Sequence, residues 1–129
     1  MTLDAELAGR SVCRLETIGR TSGQPRDIEM WFAADPRRDR IYLLSGGRER
    51  AHWVRNIRHD PTVRVRISGR WFNGEASEIE GGPDEMLARE ALATKYQGWR
   101  SGAQLSGWAR TSLPVAIDLR PSEPGSSPG

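Results

Sequence analysis

The chain has 129 residues, 36% hydrophobic and 28% charged, which is the size and balance of one globular domain with one core. A formal net charge of +2 makes a bulk electrostatic case for nucleic acid weak, although every Lys or Arg position except Lys95 is an arginine. Cys13 is the only cysteine, so no intramolecular disulfide forms, and with His52 and His59 as the only histidines a Cys/His metal site is not expected.

Residues 1–10 read as a short helix or arm. No signal pattern opens the chain and no apolar run approaches the ~20 residues of a membrane helix, so a cytoplasmic protein without a membrane anchor is expected. Ser11 to Ile18 is strand-like, and Gly19 to Pro25 is a turn rich in breakers. From Asp27 to Phe32 the residues alternate, which predicts a strand with Ile28, Met30 and Phe32 facing the core and Asp27, Glu29 and Trp31 facing away. These two strands make an antiparallel hairpin. A second turn, Asp35 to Asp39, leads into a short apolar strand, Ile41 to Leu44.

That strand ends on Ser45-Gly46-Gly47, and a helix is expected from there to the Asp60-Pro61 stop. A glycine pair lets backbone approach a ligand, and the free N–H groups of a helix start favour an anion. Arg48, Arg50, Arg55 and Arg58 surround that end with positive charge, giving a candidate phosphate or carboxylate cradle. Trp53 and Asn56, three apart, are neighbours on the helix surface. An aromatic plane beside an amide suits a ligand with a flat ring and an anionic tail; a role for Trp53 as a core anchor with Ile57 stays equally open on pattern alone.

Thr62 to Ile67 alternates most clearly, with Val63, Val65 and Ile67 inward and Arg64 and Arg66 outward. Ser68-Gly69-Arg70 turns it into a strand from Trp71 to Ile79. Gly82-Pro83-Asp84-Glu85 starts a second helix, which runs to about Tyr96 with Leu87, Ala88, Ala91, Leu92 and Tyr96 as its core stripe. Gln97 to Ser112 reads as irregular, Leu113 to Leu119 as a last strand, and 121–129 as a disordered tail after a single domain of 1–120. The fold class is α+β, an antiparallel barrel of about six strands with two or three helices. The chain lacks Gly-x-Ser-x-Gly, a phosphate loop and paired catalytic carboxylates. No side chain is assigned as a catalytic acid, base or nucleophile; a bound cofactor would carry the hard chemistry.

Five segments in order make a resemblance: Leu15 to Arg26, Ser45-Gly46-Gly47, Trp53-Val54-Arg55-Asn56 with Asp60-Pro61, Tyr96 to Trp99, and Trp108 to Pro114. The chain resembles the flavin/deazaflavin oxidoreductase superfamily of FMN-binding, PNPOx-like split β-barrels, in the branch of the deazaflavin-dependent nitroreductases. The resemblance implies a homodimer that binds coenzyme F420, a deazaflavin with a phosphodiester and an oligoglutamate tail, and passes hydride to an electron-poor quinone, enone or nitroaromatic. It implies that Arg20, Arg26, Ser45, Gly46 and Gly47 hold the phosphate and tail, that backbone at Ile28 and Glu29 meets the ring, and that Trp53 and Asn56 contact the cofactor. The branch commonly has a lysine where this chain has Thr21, and another after Ser45, so Arg48 or Arg50 is expected to replace the missing ammonium. Trp31, Tyr96, Trp99 and Trp108 are the candidates for the acceptor side. The tyrosine-rich acceptor segment of the nitroreductases is not reproduced between Trp99 and Trp108. FMN in place of F420, or a carrier that binds without turnover, are the alternatives.

Overall fold

The computed structural model describes residues 3–121, and within them the chain forms one curled antiparallel sheet of seven strands with four α-helices. A short helix, α1 (Ala5–Ala8), is capped by Asp4, whose carboxylate accepts from Leu7 N–H at 2.9 Å. Strands β1 (Cys13–Ile18) and β2 (Pro25–Met30) form the expected hairpin, in register from Cys13↔Met30 to Ile18↔Pro25. After β3 (Ala33–Asp35) and β4 (Arg40–Ser45) come α2 (His52–His59), β5 (Thr62–Ile67) and β6 (Arg70–Glu78), then α3 (Pro83–Gln97), α4 (Gly107–Thr111) and β7 (Leu113–Pro121). The strand order is β2-β1-β5-β6-β7-β4-β3. The expected tail at 122–129 lies outside the described residues, and Pro121 closes β7 in register with Phe72.

Two cores share the sheet. Inside the curl, Leu15, Val63, Val65, Ile67, Phe72, Val115 and Ile117 meet Trp53, Val54 and Ile57 of α2 and Leu3 and Leu7 beside α1. On the outer face, Tyr42, Leu44 and Ala116 pack against Ala88 and Leu92 of α3. Strand β4 contributes to both, Ile41 and Leu43 inward and Tyr42 and Leu44 outward, which is why its apolar run is continuous rather than alternating. Strand β6 crosses β7 so closely that a Cβ on Gly74 would lie 2.8 Å from Ile117 Cγ2. The β5–β6 turn puts Ser68 at φ 51° and Gly69 at φ 82°, the pair of positive φ values a two-residue hairpin loop of type I′ requires.

Several expectations need correction. Ile28 is 41% exposed rather than buried, because β2 is the sheet's edge strand; Met30 is half-buried against the inner core, and Phe32, beyond the strand, is fully buried. The helix expected from Gly47 is interrupted: Arg48–Arg50 form one turn of 3-10 helix, Ala51 is extended at ψ 139°, and α2 starts at His52. The region 97–112 contains α4, capped by the Ser106 hydroxyl. Leu87 leaves the α3 stripe and is exposed, whereas Arg89 is buried and donates to the carbonyls of Ala109 (2.9 Å) and Ser112 (2.8 Å), fastening α4 to α3. No described helix is long and apolar enough to cross a membrane.

Candidate functional site

The loop between β1 and β2 is closed by its own backbone. Gly19 N–H donates to Gln24 O at 2.8 Å, Gly23 N–H donates to Gly19 O at 2.8 Å, and Gly23 takes φ 71°. A Cβ on Gly19 would sit 2.7 Å from Ser22 Oγ and 3.2 Å from Gln24 O, so a larger residue would press on the hydroxyl that accepts from Gln24 N–H. The result is a compact loop that presents Arg20, Thr21 and Ser22 opposite the first turns of α2.

Asn56 joins the two elements. Its Oδ1 accepts from the Arg20 backbone N–H (3.2 Å) and from Arg20 Nη1 (2.8 Å), and its Nδ2 donates to Thr17 Oγ1 (3.0 Å). Thr17 Oγ1 in turn reaches Arg26 O at 3.4 Å. Arg20 Nη1 also donates to His52 O (3.4 Å), and Nη2 lies 3.1 Å from His52 Nδ1. A guanidinium only donates, so Nδ1 is the acceptor and the ring proton sits on Nε2.

Between loop and helix lies a cleft of about 570 Å³, lined by Thr17, Gly19, Arg20, Thr21, Ser22, Arg26, Asp27, Ile28, His52, Trp53 and Asn56. Its floor is apolar where Ile28 and Trp53 meet it. Its rim is cationic: Arg20 is pinned, while the Arg26 side chain is exposed and has no hydrogen-bond or ion-pair partner among the described residues. Trp53 serves both readings of its pattern, since it is buried in the inner core and also lines the cleft. The first turn of α2 has no side-chain cap, which leaves N–H groups free beside the rim.

The glycine-pair turn stands apart from this cleft. None of Ser45, Gly46, Gly47, Arg48 and Arg50 lines it. Ser45 is buried and its hydroxyl donates to Arg48 O at 3.0 Å; Arg48, at φ 53°, bonds Thr111 O through Nη1 and pairs with Glu49 at 3.6 Å. Gly46 faces Trp108, whose Cδ1 would lie 3.4 Å from a Cβ there. The turn therefore closes on itself and on α4, and Arg50 projects into solvent.

A second, shallower cleft opens further along β2, lined by Glu29, Met30, Trp31, Leu44, Gln97 and Trp108. Trp31 stacks on Tyr96 and meets Trp108 edge-on, with ring centroids 5.5 Å apart. Glu29, expected beside the cofactor ring, lines this cleft and not the first. Trp99 belongs to neither; its indole N–H donates to Ala103 O at 2.8 Å. The Tyr96 hydroxyl accepts from Phe32 N–H (3.0 Å), and Lys95 Nζ donates to Phe32 O (2.9 Å) and Ala8 O (3.1 Å), so the end of α3 holds the backbone that follows Trp31. Burial pushes the Tyr96 phenol up and the Lys95 ammonium down from their ordinary values.

Thr17, Thr21, Ser22, Asp27 and His52 line the first cleft without having been singled out as site residues. For His52 a signal existed, because it lies four residues before Asn56 and so on the same helical face. For Thr17 there was none, since an inward threonine in a strand reads as packing.

The curled antiparallel sheet, with α2 inside the curl and α3 on its outer face, is a split β-barrel of the PNPOx-like, FMN-binding type. The family described as F420H(2)-dependent quinone reductase matches residues 2–120; the chain belongs to that family and is an F420-dependent reductase. Among solved structures, a conserved hypothetical protein from Mycobacterium tuberculosis is 21% identical, covering 93% of this chain and 82% of that one, with a TM-score of 0.72. An F420-H2 dependent reductase is 19% identical, covering 86% and 95%, with a TM-score of 0.61. A FAD-binding protein from Mesorhizobium loti is 20% identical, covering 93% and 92%, with a TM-score of 0.59. At these identities the structures establish the fold, and the family match carries the activity.

Proposed function

We propose that F420 lies in the cleft between the β1–β2 loop and α2, and that the Trp31–Tyr96–Trp108 cluster is the acceptor side. The observation that carries this is the pairing of an apolar floor, Ile28 and Trp53, with the unneutralised guanidinium of Arg26 at the rim. A flat deazaflavin ring suits the floor, and a phosphodiester with a glutamate tail suits arginine. Bound there, the reduced cofactor supplies a hydride.

The chain's own residues bind and orient. Arg26 and Arg20 take the anionic end, helped by Thr21, Ser22 and the free N–H groups at the start of α2. The outer edge of β2 is unpaired among the described residues, which leaves backbone groups of Ile28 and Glu29 for the edge of the ring. One strand walls both clefts, so cofactor ring and acceptor would meet across β2, and holding them in register is the main source of rate. The stacked indole and phenol suit a flat, electron-poor acceptor, a quinone first, with enones and nitroaromatics in the same class.

A homodimer belongs to this reading. Ile28 and Trp31 (45% exposed) lie along an open sheet edge, and a second copy packed beside that edge would wall the two clefts without filling them. Light scattering at micromolar concentration should give twice the chain mass; a monomer would remove the dimer.

The site is tested by titrating F420 into the protein and following cofactor fluorescence. Arg26→Ala should weaken binding roughly tenfold, the loss expected of one charge-assisted contact. Arg48→Ala and Arg50→Ala together should change it less than about twofold. The reverse order would move the anion to the Ser45 turn.

A further inference from the structure

The resemblance assigns Asn56 to direct cofactor contact, yet the side chain is 4% exposed and nearly spent on the protein. An amide oxygen has two lone pairs, and both are taken by Arg20, one by its backbone N–H at 3.2 Å and one by Nη1 at 2.8 Å. One Nδ2 hydrogen goes to Thr17 Oγ1 at 3.0 Å. Thr17 is itself 1% exposed and anchored in β1. Asn56 therefore grips one residue of a mobile class, a surface arginine, at both its backbone and its head, and ties that grip to the sheet.

We infer that Asn56 is a positioning residue: it acts on the anionic cofactor through Arg20, whose guanidinium it holds toward the cleft, and not by its own contact. A free arginine side chain loses rotamer freedom when it is ordered. Here that ordering is done before the ligand arrives, by one amide and by the His52 carbonyl and ring. Only an acceptor at this position can do it. An amide holds the arginine without neutralising it, whereas a carboxylate would hold it and cancel the charge the ligand needs.

This inference rests on the first cleft being the F420 site, and the experiment separates the two. F420 affinity is measured by fluorescence titration for the wild type, Arg20→Ala, Asn56→Ala and the double variant. Asn56→Ala should lose roughly tenfold in the wild-type background and less than about twofold once Arg20 is gone, because interacting residues are not additive. An equal loss in both backgrounds overturns the inference and leaves the site standing. An Arg20→Ala variant that binds as well as wild type overturns the inference, and the site is then decided by Arg26→Ala: unchanged binding in that variant too overturns both. A readout without cofactor accompanies it: in the free protein the Arg20 amide should be protected from hydrogen exchange and lose that protection in Asn56→Ala, and an Arg20 amide unprotected in the wild type also overturns the inference. Should Asn56→Ala not fold, Thr17→Val replaces it, removing the partner of Nδ2 while keeping Asn56. A loss of affinity that disappears in the Arg20→Ala background supports the inference, and unchanged affinity overturns it.

Discussion

Trp31 lies flat on Tyr96, with ring centroids 4.4 Å apart and planes 1° from parallel. The tyrosine is the fixed member of the pair, because its hydroxyl is held by Phe32 N–H and lies 2.8 Å from Ser11 O. Trp31→Ala should therefore raise KM for a small quinone roughly fivefold, the worth of one lost aromatic contact, with F420 affinity unchanged. Tyr96→Phe keeps the stack and should leave KM nearly unaltered, while lowering stability by about 1 kcal/mol through the orphaned Phe32 N–H. Steady-state kinetics and urea unfolding on both variants check this; equal kinetic damage from the two would remove Trp31 from the acceptor side.

Glycine does different work at two positions in β6 and its turn. Gly74→Ala forces a methyl to 2.8 Å from Ile117 Cγ2 and should cost about 1–3 kcal/mol by overpacking. Gly69→Ala meets nothing within 4 Å but must hold φ 82°, which should cost about 1 kcal/mol in backbone strain. Pairing each with Ile117→Ala, which removes Cγ2, in chemical denaturation distinguishes them: the truncated partner should make Gly74→Ala less costly than it is in the wild-type background and leave the cost of Gly69→Ala unchanged.

Arg58 of α2 donates to both carboxylate oxygens of Glu78 in β6, at 2.7 and 2.8 Å, and that hydrogen bonding holds the Glu78 carboxyl below its usual 4.5. A depressed folded-state value means that the contribution is present above about pH 4.5 and is lost as pH falls through the lower folded value. Glu78→Gln should flatten the acid limb of the stability curve while leaving its neutral and alkaline parts in shape, as read by thermal unfolding between pH 3 and 7.

Burial pushes the Cys13 thiol from 9.0 up to about 12. The folded state keeps its proton where the unfolded chain has lost it, so stability from this group is full below pH 9 and declines as pH rises from 9 toward 12. At pH 8 the thiol should be inert to a disulfide reagent in the folded protein and react at the rate of opening in urea. Fast labelling without denaturant would contradict its burial.

Much of the sheet was legible because its strands have one wet face and one dry face: Val63, Val65 and Ile67 against Arg64 and Arg66 leave a single choice. Strand β3 escaped because three residues are too few to show a period. Strand β2 was misjudged at Ile28 because alternation reveals two faces without saying how far either is covered, and at this edge only Met30 reaches the core. The site divided in the same way. Arg20, Arg26, Ile28, Trp53 and Asn56 do converge on one cleft, as their two segments suggested. The Ser45 turn has the composition of a ligand loop, and the structure places it outside that cleft with its hydroxyl donating to Arg48 O, a local bond that no sequence pattern announces. Asn56 was singled out for its place beside Trp53 on the helix, and its bonds to Arg20 were not legible because they join segments 36 residues apart.

Lys95 is the sole lysine in this sequence, and its ammonium is spent on two backbone carbonyls and the face of Phe32, 3.8 Å away. A surface held together by arginine alone offers acylating reagents and amine crosslinkers almost nothing along the chain. A protease specific for lysine would meet a single site, shielded while α3 is docked, so each cut would record one opening of the helix that carries Tyr96.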